Sequence, residues 1–180
     1  MTNYVNTPNE LSVNTAIQSW IMALLGLDLA HVLLAYENGI TIPLDPYVMY
    51  FSLKTNNLAT PVLTNVGTNY QNNVASDLDT YQVDCYGATA KDFAMTLYLL
   101  ARSDSTSEWF TAYGAANGVV LDITDADEPT HLPIVNDENQ YEERWTVRIR
   151  FSVPTVITTP QDFMTTAIIK PLVNVSTLPR

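Results

Sequence analysis

The stretch Trp145-Thr146-Val147-Arg148-Ile149-Arg150-Phe151-Ser152-Val153 alternates large apolar and polar side chains without a break. A period of two places Trp145, Val147, Ile149, Phe151 and Val153 on one face of a strand, with Thr146, Arg148, Arg150 and Ser152 on the other. The strand is expected to run from Tyr141 to Val153 and to need a sheet beside it and a layer over its apolar face.

Other strands are at hand. Tyr47 to Lys54 (YVMYFSLK) is aromatic and β-branched, and Leu78 to Tyr86 alternates Leu78, Thr80, Gln82, Asp84 and Tyr86 against Asp79, Tyr81, Val83 and Cys85. Leu29 to Tyr36 reads as a further short strand, and Gly118 to Thr124 as another. The covering layer comes from two helices. Leu11, Val13, Ile17, Trp20, Ile21, Leu24 and Leu25 recur at helical spacing, with Ser12 or Asn14 to cap the start and Gly26 to end it. Ala90, Phe93, Ala94, Leu97, Leu100 and Ala101 form a narrow stripe suited to lying flat on a sheet, starting at Thr89. A short helix is predicted from Thr106 to Tyr113, capped by Ser105 and closed by Gly114. These elements predict an α+β domain, residues 1–154, with a mostly antiparallel sheet.

Between the elements, Glu37 to Asp45 holds Asn38-Gly39 and Pro43 and reads as a turn or projecting loop. Thr55 to Ser76 is rich in Asn and Thr and reads as a weak hairpin or a long loop. Pro154 is expected to end the compact part. Residues 155–180 then form a Thr-rich, apolar C-terminal arm, with a turn at Thr159-Pro160 through Phe163 and an extended piece from Ile168 to Val175, docked on a neighbouring subunit.

Composition bounds the function. With 47% hydrophobic residues there is material for a core, while only 15% are charged. Asn, Thr, Ser, Gln and Tyr take the place of Lys and Glu, a surface that suits permanent contacts between proteins or a highly soluble monomer. Nineteen acidic against eight basic residues give a net charge of −11, which argues against binding nucleic acid by neutralising phosphates. Cys85 is the single cysteine, so neither a disulfide framework nor a cysteine zinc site is expected. The opening MTNYVNTPNE has no basic region followed by an apolar core, and Ile21 to Leu34 is too short and too interrupted to cross a membrane. An intracellular site of synthesis is therefore expected.

Catalytic motifs are missing: no nucleophile elbow, phosphate loop, dinucleotide fingerprint or paired-histidine helix occurs. His31 and His131 read as packing or loop histidines, and Cys85 as a small buried hydrophobe. Asp77 and Asp79 share a strand face, the geometry of a carboxylate pair, without an evident acid partner. Asp122, Asp125, Asp127 and Glu128 are the best candidates for a hard cation, but they fail the EF-hand register. The wider segment from Asp122 to Glu143, including Asp137 and Glu138, holds eight acidic residues and no Lys or Arg. It reads as a strongly negative loop, solvated or facing a basic partner. Arg144, Arg148 and Arg150 put three of the eight basic residues within seven positions. They suit ion pairs across a subunit boundary, or equally pairs with the chain's own Asp84 or Glu142. No cofactor or metal is expected.

Several local sequences occur together in order: Ala16-Ile17-Gln18-Ser19-Trp20-Ile21; Pro46-Tyr47-Val48; Tyr81-Gln82-Val83-Asp84-Cys85-Tyr86-Gly87 before a helix with Ala90, Asp92, Phe93 and Ala94; Trp109-Phe110 with Tyr113-Gly114; and Tyr141-Glu142-Glu143-Arg144-Trp145. Over roughly residues 10–155 this order resembles the phage neck terminator family, the tail-completion proteins of tailed bacteriophages. The resemblance implies a structural virion protein whose sheet carries its helices on one face. It implies a six-membered ring that ends the tail tube, docks the head-side connector and leaves a channel through which DNA passes without specific binding. Tail tube proteins, and sheath proteins where the tail has a sheath, would be its partners, in the virion after assembly in the host cytoplasm. The family carries no catalytic residues, so Trp20, Tyr47, Cys85, Tyr86, Gly87, Gly114 and Arg144 read as core and turn positions. A tail tube or head-tail connector protein is the nearest alternative. A small carboxylate-dependent enzyme or a monomeric binding module lies further off.

Overall fold

A computed structural model describes residues 5–36, 41–44, 46–66, 70–135 and 141–160. In chain order the elements are β1 (Val5–Thr7), α1 (Glu10–Leu25), β2 (Val32–Leu34), β3 (Tyr47–Asn57), β4 (Val62–Val66), β5 (Tyr70–Tyr86), α2 (Ala90–Leu100), α3 (Asp104–Asn117), β6 (Asp122–Ala126), β7 (Thr130–His131), β8 (Ile134–Val135), β9 (Tyr141–Glu142) and β10 (Arg144–Pro160).

The decisive strand sits in the middle of the sheet. β10 pairs with β5 over its whole length, from Arg144 opposite Tyr86 to Pro160 opposite Tyr70. The order β1-β10-β5-β3-β2 is antiparallel except where β2 runs parallel to β3, and β4 extends β5 while β6 and β7 line the other side of β10. The register puts Val83 beside Val147 and Tyr81 beside Ile149, so one face presents a continuous apolar surface. All three helices bury onto it: Ile17, Trp20 and Ile21 from α1, Ala94 and Leu97 from α2, and Phe110 from α3. The α+β class, with a mostly antiparallel sheet and helices on one face, is as expected.

Element ends differ from the sequence reading for local reasons. Asn9 caps α1, its side chain accepting from the Ser12 N–H at 2.9 Å; Ser12 and Asn14 lie inside the helix. Asn14 is buried and is used otherwise, accepting the Tyr81 hydroxyl on its side chain and the Tyr50 hydroxyl on its carbonyl. Gly26 closes the helix in the left-handed region, as read. β2 is only three residues of the predicted Leu29 to Tyr36 strand, and the last strand-like stretch before the acidic segment is shifted to Asp122–Ala126. The Asn- and Thr-rich segment takes its hairpin alternative, β4 against β5, so β5 begins at Tyr70 instead of Leu78.

The third helix is longer than predicted. It is capped by Ser103 and ends at Gly118, φ +70, so Gly114 lies within it and does not close it. A Cβ on Gly114 would stand 2.5 Å from the Val119 carbonyl oxygen, and that atom is backbone. Gly114→Ala gains about 1 kcal/mol of helix propensity but must move the following chain, at about 1–3 kcal/mol. A net loss of stability in urea unfolding is expected; a gain would show that residues 118–121 yield freely.

Pro154 does not end the strand, although burial stops one residue earlier, at Val153. Ser76 turns its carbonyl to the Leu58 N–H and away from β10, so its pair with Pro154 needs no ladder bond. The proline's missing N–H falls in the gap between the stretches covered by β6 and β1. The turn read through Phe163, the extended piece 168–175, and Asp137 and Glu138 lie outside the described residues, as does part of the loop from Glu37 to Asp45.

Candidate functional site

The three arginines stand on the sheet face opposite the helices, and the register decides what each one meets. Arg150 is the cross-strand partner of Asp125 on β6, and its guanidinium bridges Asp125 at 2.8 Å and Asp127 at 2.7 Å. Arg102 approaches the second Asp125 oxygen at 3.7 Å. Arg144 donates from Nε to the Leu132 carbonyl at 2.9 Å and comes within 4.0 Å of Asp84. The chain's own Asp84 is thus the partner of Arg144, one of the two readings the sequence left open. Arg148 is exposed opposite Gln82 and has no ion-pair partner among the described residues.

Asp84 is the centre of a buried polar cluster. It accepts from the Thr146 hydroxyl at 2.6 Å and from the Gln82 amide at 3.0 and 3.1 Å. Beside it Tyr47 and Tyr86 stack with ring centroids 4.6 Å apart. Burial pushes the Tyr86 hydroxyl up from its ordinary value and the Asp84 charge adds to this, with Arg144 opposing. Cys85 points the other way into the core, fully buried, and burial raises its thiol far from reactivity.

The acidic segment is less open than its sequence suggests. Asp125 and Asp127 are ion-paired, and Asp122 accepts from its neighbour's N–H at Ile123. Glu128 is exposed without an ion-pair partner among the described residues. Glu143 accepts the Trp145 indole N–H at 2.9 Å and lies 3.4 Å from His131, whose ring stacks on Trp145. His31 lies 2.6 Å from Asp28. Among the described residues no group of three or more His, Cys, Asp or Glu is placed to hold a metal ion.

Asp77 and Asp79 do share a face, and they line a cleft of about 360 Å³ with Glu10. The helix residue is 67 positions from Asp77, so no local spacing announced it. One Asp79 oxygen is buried with no hydrogen-bond partner. Burial pushes this carboxyl above its ordinary value, opposed by a Thr55 hydrogen bond and reinforced by the charges of Asp77 and Glu10. The folded chain therefore holds that proton more tightly than the unfolded chain. Ionised Asp79 costs stability at neutral pH, and the cost is relieved as pH falls through the folded value towards the unfolded one. Asp79→Asn is expected to raise Tm at pH 7, with the advantage shrinking as pH falls towards the ordinary carboxylate value of about 4 and gone below it. A lower Tm at pH 7 would contradict this.

The positions quoted for the family pattern are structural: Trp20, Tyr47, Cys85 and Tyr86 are buried, Gly87 turns at φ +93 from β5 towards α2, and Gly114 admits the chain after α3. The family model described as phage neck terminator protein matches residues 11–174. The chain belongs to the phage neck terminator family. No curated protein matches it. The match runs past residue 155, so the family pattern includes most of the stretch beyond Pro154. As a neck terminator family member the chain is a structural protein of the phage neck, a component of the virion that meets other tail and head proteins. Among the described residues no helix is long and apolar enough to cross a membrane.

Proposed function

We propose that copies of this chain close into a ring of six that ends the tail tube, joins it to the head-side connector and leaves a channel for DNA. The observation that carries the reading is the family match over residues 11–174. The physics supports it. A closed ring needs a heterologous interface, one face of a subunit against a different face of the next. Exposed strand edges and a sparsely charged surface suit such contacts. Arg148, unpaired among the described residues, is the arginine of the three left to reach a neighbour, whereas Arg144 and Arg150 brace their own subunit.

The acidic segment from Asp122 to Glu143 faces the channel or an axial surface in this reading, where negative charge keeps DNA from adhering. Its free charge is carried by residues such as Glu128, with Asp125 and Asp127 already held by Arg150. The chain beyond β10, from residue 161 to 180, serves as an inter-subunit arm, Thr155–Pro160 being held in their own sheet. Electron micrographs of the purified chain are expected to show discrete closed rings that bind tail ends. Long hollow filaments would identify a tube protein instead. Turnover of a substrate lost on substituting Asp77 and Asp79, with assembly intact, would identify an enzyme.

A further inference from the structure

Among the described residues no helix lies over the far half of the sheet. Beyond Val153 of β10 and Thr80 of β5 every described residue of these strands is at least partly exposed. The ladder nevertheless continues for seven more residues, about 23 Å, to Pro160 opposite Tyr70. With β4 and the end of β3 this makes an arm of the sheet that carries exposed apolar side chains: Leu53, Leu58, Val62, Leu63, Tyr70 and Ile157. No charged residue occurs between Lys54 and Asp77, or between Arg150 and Asp162. The edge strand β4 thus lacks the lysines, inward charges and bulges by which sheet edges are protected from pairing.

The same chain holds an apolar groove of about 440 Å³ between α3 and residues 119–121. Phe110, Ala115, Val119, Val120, Leu121 and Pro154 line it, and Asp122 is its one charged residue. β4 cannot fill the groove of its own subunit. The ladder holds β4 two strands, about 10 Å, from β10, while the groove opens on the opposite side of β10, where β6 pairs.

We propose that β4 and its exposed apolar side chains seat in the α3 groove of a second copy of this chain. Charge selects that occupant. Two molecules of net charge −11 repel wherever their acidic surfaces meet, and the arm and groove are where they can approach without it. A basic partner would instead favour the acidic segment. Arm and groove are different surfaces, so each copy gives one contact and receives another, which is the head-to-tail connection a ring requires. This rests on the ring reading above and adds which surfaces make it.

The test uses two full-length variants, Val62→Glu with Leu63→Glu on the arm and Ala115→Glu with Val120→Glu in the groove, all at exposed positions. Sedimentation and light scattering follow mass. Wild type is expected to form a ring, and each variant to remain a folded 20.0 kDa particle, its association weakened about thirtyfold or more per anchor. Mixing the two variants leaves one intact arm and one intact groove, and should yield a dimer that grows no further. Variants that still form rings beside wild type, or a mixture with no dimer, would overturn the arm-to-groove contact and leave the ring standing. Wild type that stays single at high concentration and never binds tails would overturn the ring itself, and this inference with it.

Discussion

Trp20→Ala is expected to remove about 3–5 kcal/mol, a large share of the roughly 5–15 kcal/mol that holds a domain of this kind folded. Trp20 is 1% exposed and lies between α3 and the central strand, 5.7 Å from the Phe110 ring and 6.4 Å edge-on to Phe151. The indole therefore joins two helices and the sheet at one point. Its loss leaves a cavity lined by the Phe110 and Phe151 rings, whose backbones are fixed by two different elements, so collapse into the space is limited. Chemical unfolding measures the loss. Leu11→Ala, on the exposed side of the same helix at 75% exposure, should change stability by no more than about 0.5 kcal/mol. Equal effects at the two sites would refute the packing described.

Asp84→Ala should cost about 3–5 kcal/mol, for an electrostatic reason. The side chain is buried, and it is the acceptor for the Thr146 hydroxyl and the Gln82 amide, with Arg144 at 4.0 Å. Alanine removes the charge and leaves those donors without a partner where water has little access. Asp84→Asn keeps an acceptor for Thr146 and should lose less. Thr146→Val removes a single bond and should cost about 1–2 kcal/mol. If Asp84→Ala and Thr146→Val prove equal in unfolding experiments, Asp84 does not organise the cluster.

How far the fold could be read depended on the period of the pattern. The strand through Trp145 and Phe151 and the helix through Trp20 announced themselves, because burial on one side forces a repeat of two or of 3.6. Ends were read less well. Asn9 does not stand out in the sequence, because a cap acts two or three residues ahead of itself and Ser12, its recipient, is an equally good cap by type. Gly114 reads as a terminator in the sequence, because a glycine near a helix end usually is one. Here its missing Cβ serves the close passage of Val119. At the candidate site the arginines and acidic residues were all visible, but which of them would join was not. Arg150 finds Asp125 and Asp127 through the β6 register, and Glu10 comes to Asp79 through the placing of a helix end.

The amino-acid order alone determined the α+β class, the face that each main element buries, the absence of familiar catalytic motifs and the likeness to neck terminators. These depend on neighbours along the chain, whose side-chain directions follow from backbone geometry. Tertiary structure decided the pairing of charges, the unpartnered oxygen of Asp79, the survival of β10 past Pro154, and the separation of an uncharged arm from the groove beyond β10. These depend on strand register and on residues brought from as far as 25 and 86 positions away, and no local period encodes that distance.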